Sequence, residues 1–317
     1  MRKATFLLGA LALVSSVAYA KEVVPAVEEV VIAEETVKEQ PKLVVTHIGQ
    51  EIEIENQSGA DDFDDVWLFN TVGMKYNDWT FGLKAGKQWN VDFDNGIHSD
   101  THRLELDAWK KVSDNLKLGA RYRGQKDRDR IVVRYDYNNG FLWSAGDFWY
   151  QSNNNEVGRP NGTADNYEME WFPIGFQYGP FKAGYFVNGI LYVGDNGEGQ
   201  QNYYLEHQIR SYLSLYKGEK LSVNAEYRIT LHHENDYEDK EGGVKKDYRV
   251  YDDFGRHRIY LGASYQVNEN LNVYGKYGYE FRDWSYENTT EKKWLANKDN
   301  HSLDNYQNII VGWKYTF

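Results

Sequence analysis

The sequence predicts an all-β fold, a transmembrane antiparallel up-and-down β-barrel of about fourteen strands with a short N-terminal extension. Three observations carry this. Segments of alternating apolar and polar residues, about ten or more long, recur from residue 47 onward. Very short turns alternate with longer polar connections along the same stretch. The chain ends in Val311-Gly312-Trp313-Lys314-Tyr315-Thr316-Phe317, a period-two strand whose last residue is aromatic.

In chain order, residues 1–20 read as a secretory signal. Arg2 and Lys3 make a basic start, Phe6 to Val14 form a short apolar run, and Ala18-Tyr19-Ala20 is a small-x-small cleavage site. The run is too short to cross a bilayer as a helix. Residues 21–46 read as a periplasmic extension, disordered or briefly helical: Val, Glu and Ala dominate, Pro25 and Pro41 interrupt, and Gly, Tyr and Trp are missing. Residues 47–317 are then the barrel. Its expected tight turns are Asn77-Asp78, Ser113-Asp114-Asn115, Asn138-Asn139-Gly140, Gly179-Pro180, Lys217 to Lys220, and Asn268-Glu269-Asn270. The expected longer connections are 57–65, 91–101, 126–129, 152–165, 194–200, 234–254 and 285–303. Six tight turns and seven longer loops give fourteen strands with both ends on the tight-turn side.

Parity supports the strands. Leu116, Leu118, Ala120 and Tyr122 share one face, and Lys117, Gly119, Arg121 and Arg123 the other. Strands of about ten residues suit a tilted membrane crossing, whereas soluble strands run to about five or six. Phe172-Pro173 breaks parity and predicts a bulge. Trp79, Trp89, Phe141, Trp143, Trp149, Trp171, Tyr178, Phe181, Trp284, Trp313 and Phe317 fall near strand ends and are expected in two interfacial girdles.

Composition bounds the class. The chain holds 26 Tyr, 14 Phe and 10 Trp, too many aromatics for a disordered protein. Mean hydropathy is negative, as it is for a barrel that alternates lipid-facing and lumen-facing residues. Cysteine is absent, so no disulfide framework and no thiolate chemistry are available. Without Arg2 and Lys3, 34 basic side chains oppose 48 acidic ones, a net of −14, which disfavours nucleic acid as a partner.

A barrel of about fourteen strands is too wide for its own side chains to fill. Parity sends charges of both signs inward, and desolvating them all would be prohibitive, so the interior is expected to hold water. The expected pore-lining residues are Arg103, Lys117, Arg121, Arg123, Arg130, Arg134, Glu168, Glu170, Arg210, Glu226, Arg228, Lys276, Glu280 and Arg282. The bases from Arg103 to Arg134 lie on three consecutive strands, with Glu168, Glu170 and Glu226 facing or beside them. That arrangement either sets a transverse field that favours polar solutes or stiffens the wall by salt bridging.

The C-terminal run resembles the last strand of bacterial outer-membrane barrels, where a final Phe serves as an assembly signal. The chain over most of 47–317 resembles the monomeric fourteen-stranded porins of the outer membrane protein G type. The likeness is most concrete in Asn270-Leu271-Asn272-Val273, Tyr277-Gly278-Tyr279-Glu280-Phe281 and the closing strand. It implies a wide, weakly selective outer-membrane channel for small sugars and ions, active as a monomer in a bilayer with lipopolysaccharide. It also implies that the connection at 234–254 gates the pore. The 21–46 extension departs from that family. The Lys21-Glu22-Val23 start is similar to that of some fusobacterial major porins.

An enzyme is disfavoured. HExxH, GxSxG and phosphate-cradling glycine loops are missing, and no cofactor or metal site is expected. Two rival channel-free or narrower readings remain: an acidic-oligosaccharide-specific pore, and an adhesin or antigen with a plugged lumen. A pH gate is expected at 234–254. Parity would point His232 inward and place His257 near the rim, where both would charge together on acidification and repel.

Overall fold

The computed structural model describes residues 42–57, 63–153, 164–193, 203–235, 238–241, 244–288, 293–295 and 304–317. The signal and nearly all of the extension lie outside these residues. The strands are β1 (Val44–Gln57), β2 (Phe63–Tyr76), β3 (Trp79–Asp92), β4 (Gly96–Lys111), β5 (Leu116–Gln125), β6 (Arg128–Asn138), β7 (Leu142–Asn153) and β8 (Asn166–Tyr178). They continue with β9 (Phe181–Tyr192), β10 (Tyr203–Lys217), β11 (Leu221–Asn235), β12 (Glu238–Glu241), β13 (Val244–Gln266), β14 (Leu271–Asn288), β15 (Lys293–Leu295) and β16 (Asp304–Thr316). β12 and β15 are short and pair only with the outer parts of β13 and β14.

The other fourteen strands form a closed antiparallel up-and-down barrel. β1 pairs with β16 from His47↔Thr316 to Gln57↔Tyr306, so no ladder edge is left open. Within a bilayer only such closure satisfies every strand N–H and C=O. This is the architecture of an outer-membrane barrel, and the outer membrane is where it resides. β1 opens at Val44, inside the stretch read as extension.

The six tight turns form where the turn chemistry predicts. Asn77 takes φ 50°, and Gly140 and Gly179 take 93° and 56°. The Asn138 carboxamide accepts from the Gly140 N–H at 2.7 Å and that of Asn139 from the Leu142 N–H at 2.8 Å, which fixes the β6–β7 turn. At the opposite end two expected loops are shorter than their composition implies. Residues 91–101 are almost entirely strand, and the β3–β4 hairpin turns on three residues. There the Asp92 carboxylate accepts from the Asp94 and Asn95 N–H groups, each at 2.8 Å. Hydrogen bonds from Asn95, side chain first, hold its carboxyl below the usual range. The backbone of 234–254 is mostly ladder, with β13 running for 23 residues.

The bulge expected at Phe172-Pro173 is present: register shifts between Trp171 and Ile174 against β9, and between Trp143 and Ala145 against β7. A second bulge lies in β11, where His207↔His232 is followed by Gln208↔Thr230, so Leu231 is skipped.

The outer face is the apolar one. Ile131 and Val133 on β6, Ile259 and Leu261 on β13, and Val311 on β16 are at least half exposed on alternate positions. Trp79, Phe141, Tyr178, Phe181 and Phe317 are exposed near strand ends, as an interfacial girdle requires. Trp143 and Trp149 depart from that expectation. Both are inward and buried, because they share parity with Asp147. The side chain of Trp284 lies outside the described residues.

Rings that point inward lie flat along the wall because the residue directly opposite is glycine. Phe69 faces Gly86, Trp109 faces Gly119, Trp143 faces Gly175, Tyr260 faces Gly278 and Tyr274 faces Gly312. A Cβ on Gly278 would sit 2.2 Å from the Tyr260 ring, and one on Gly86 2.4 Å from Phe69. The glycine leaves a slot, the ring fills it, and the lumen is not crossed by the aromatic side chain.

Candidate functional site

The candidate site is the lumenal wall. Going round from β1, the inward charges are Glu51, Glu53 and Glu55, then Asp65 and Lys75, Lys84, Arg103, Glu105 and Asp107. Lys117, Arg121 and Arg123 follow on β5, and Arg128, Arg130, Arg134 and Asp136 on β6. Next come Asp147, Glu168 and Glu170, Lys182, Glu206 and Arg210. Glu226 and Arg228, Arg256 and Arg258, Lys276, Glu280 and Arg282, and finally Lys314 complete the circuit. These positions hold seventeen basic and thirteen acidic side chains, whereas the whole chain carries −12. Among the described residues the lumenal wall is therefore net positive.

The fourteen residues named from the sequence all lie on the inward face of the barrel wall. Two dense clusters form. On β4 to β7, Glu105 is shared by Arg123 at 2.9 Å, Arg121 at 3.6 Å and Arg103 at 3.9 Å. Asp107 takes Arg134 at 2.7 Å and Arg121 at 2.9 Å, and Arg134 also reaches Asp147 at 2.8 Å. Arg130 reaches Glu168 on β8 at 3.8 Å, and Lys117 stands opposite Asp136 in the ladder. On β10 to β14, fully buried Glu280 takes Arg256 at 3.1 Å, Arg282 at 2.5 Å and Arg258. Glu206 takes Arg256 at 2.9 Å and the Tyr204 hydroxyl at 2.7 Å. Glu226 takes Arg228 at 2.5 Å and Lys276 at 2.9 Å.

This corrects the sequence picture of a basic ladder facing an acidic one. β4–β6 and β10–β14 lie on opposite sides of the circuit, and both are basic. Glu168 and Glu170 lie beside the first cluster, on β8. The clustered ion pairs link strands that are adjacent or one strand apart, so they run along the wall.

Aromatic rings underlie the bases. Arg103 lies over Trp67 at 4.3 Å, Lys84 over Phe69 at 3.9 Å, Arg134 over Trp109 at 4.7 Å and Arg130 over Trp149 at 5.1 Å. On the far side Arg210 lies over Phe186 at 3.2 Å, Lys276 over Tyr260 at 3.7 Å and Arg258 over Tyr306 at 5.0 Å. Cation–π contact keeps each of these cations against the wall. Sequence reasoning missed this layer. The signal was available: Trp67, Trp109 and Trp149 share parity with charged neighbours two residues away.

The two histidines expected at a gate both point outward. The β11 bulge reverses parity beyond Leu231, so His232 pairs with outward His207 and is exposed, while His233 turns inward and is buried. His232 Nδ1 lies 2.9 Å from Asp253 and Nε2 3.3 Å from Glu234. His257 shares parity with exposed Ile259, and its Nδ1 is 2.7 Å from the Tyr227 hydroxyl. Protonation of His232 would tighten contacts to two carboxylates, the reverse of the repulsion expected of a gate. The side chains of 235–250 lie outside the described residues. Among the described residues, no group of three or more His, Cys, Asp or Glu could hold a metal.

No protein-family model and no curated protein matches the chain. Solved structures similar to it include OmpT of Vibrio cholerae in its trimer form, at 13% identity and TM-score 0.43, covering 87% of this chain and 99% of that one. Another is the anion-selective porin from Comamonas acidovorans, at 12% identity and TM-score 0.44, covering 88% and 100%. A third is Pseudomonas aeruginosa OprD, at 12% identity and TM-score 0.41, covering 88% and 96%.

Proposed function

We propose that the chain is a porin: a water-filled channel for passive diffusion of ions and small hydrophilic solutes such as sugars, with a preference for anions. The observation that carries this reading is the charged, wall-hugging lumen of a barrel closed within one chain. Seventeen bases and thirteen acids line it, and charge on that scale is stable only in contact with water. A net positive, low-dielectric wall raises the local concentration of anions. One chain encloses the whole lumen, so a single copy suffices to conduct. The channel performs no bond-making chemistry in this reading, and its partners are the bilayer with its lipopolysaccharide and the permeating solutes. Osmotic swelling of proteoliposomes tests it. Neutral monosaccharides should swell them at rates that fall with solute size. Rates equal to those of protein-free liposomes, with the barrel shown to be folded, would refute the channel.

A further inference from the structure

We infer that the lumen contains a discrete binding site for the zwitterionic head of a free α-amino acid, set in the wall between β8 and β11. This rests on the channel reading above and adds a solute class to it.

Arg210 differs from the other lumenal arginines. Among the described residues, each of the others has a carboxylate within 4.0 Å, and Arg210 has none. Its Nε donates to Gln208 Oε1 at 2.7 Å, and its guanidinium lies 3.2 Å from the Phe186 ring centre. The side chain is thereby fixed in place, with the Tyr212 hydroxyl beside it and no carboxylate on its two terminal nitrogens. Those nitrogens are the edge that binds a carboxylate with two parallel bonds.

The complementary charge is close by. Glu170 is exposed to the lumen and, among the described residues, has no base within 4.0 Å. Between Glu170 and Glu206 in the ladder stands Asn188, whose Oδ1 is buried with no hydrogen-bond partner. Arg210, Glu170 and Asn188 line one polar recess of about 140 Å³ together with Arg228 and Thr230.

A fixed cation edge, a free carboxylate and a free amide oxygen in one recess match one solute chemistry. The solute carboxylate takes the Arg210 edge. Its ammonium donates to Asn188 Oδ1 and Glu170. A simple anion would satisfy only the first half and would meet the oxygen of Asn188 and the charge of Glu170. The recess has room for the α-carbon and its two charged groups, and the amino-acid side chain would extend into the open lumen.

Single-channel recording with L-alanine as probe tests this. Alanine should lower the open-channel current of the native protein saturably, and acetate, which lacks the ammonium, should do so much less. Arg210→Gln and Glu170→Gln should each raise the half-saturating alanine concentration about tenfold or more, with Arg210→Lys intermediate because it keeps charge and loses the fork. Glu219→Gln, in the exposed β10–β11 turn, should leave alanine saturation intact. A current that falls linearly with alanine, or saturation unchanged in folded Arg210→Gln channels, would overturn the site. Acetate acting as well as alanine would overturn the zwitterion assignment. In each of those cases the channel still conducts, whereas a silent native barrel would overturn the channel reading itself.

Discussion

At the scale of single residues, the lumenal carboxylates are the groups on which most depends. Glu280 is fully buried and receives three arginines, from β13 and β14. Removing its charge leaves Arg256, Arg258 and Arg282 to repel one another, a loss of about 3–5 kcal/mol for a broken buried ion cluster. Glu280→Gln should therefore unfold at clearly lower urea concentration than the native barrel, and an unchanged midpoint would show that water, not Glu280, stabilises these arginines. The inward direction of Glu280 and its partners was legible in the sequence, because period two carries a side chain reliably across a regular strand. His232 was not legible. One skipped residue, Leu231, reverses the face of everything beyond it, and nothing in the local composition marks the bulge. With both imidazoles outside the lumen, His232→Ala/His257→Ala should leave open probability between about pH 5 and about pH 8 as it is in the native channel. A pH response abolished by that double change would restore the gate.

At the scale of elements, each strand contributes a lipid face, a charged face and slots for rings. The slots are glycines, and their position decides whether they can be filled. Gly278 faces inward beneath Tyr260, where a Cβ would come within 2.2 Å of the ring. Gly275 faces lipid, and a Cβ there would meet nothing nearer than a backbone oxygen at 3.6 Å. Gly278→Ala should thus lift Tyr260, and Lys276 with it, into the lumen, lower conductance and cost about 1–3 kcal/mol. Gly275→Ala should leave both conductance and stability near native. Equal effects from the two would refute the slot account. The Tyr-Gly alternation of β14 was visible in the sequence, but its partner across the ladder was not, because register is settled by turns and bulges of several strands together. The tight turns were legible from Asn, Asp and Gly, as at Asn138 and Gly140. The outer connections misled, since the polar residues of 91–101 extend a hairpin instead of forming a loop. Polar composition is common to loops and to strands that leave the bilayer.

At the scale of the whole molecule, charge is partitioned. The chain is acidic, at −12, while the described positions of its lumenal wall hold four more bases than acids. Composition alone would have suggested a cation channel, and only parity, strand by strand, separates the two populations. That partition explains why the barrel tolerates an interior dense in arginine: among the described residues, every lumenal arginine rests on a ring or a carboxylate of the wall. The first cluster is expected to set much of the ion preference. Replacing Arg121, Arg123, Arg130 and Arg134 together with Gln should move the reversal potential toward cations, and no movement would assign those arginines to wall stiffness alone. The measurement that bears most directly on the central claim is the current of the purified native barrel in a planar bilayer held across a salt gradient. The account predicts discrete conductance steps and a reversal potential on the anion side of zero. A folded barrel that stays silent across lipids and voltages, or one that reverses on the cation side, would contradict it.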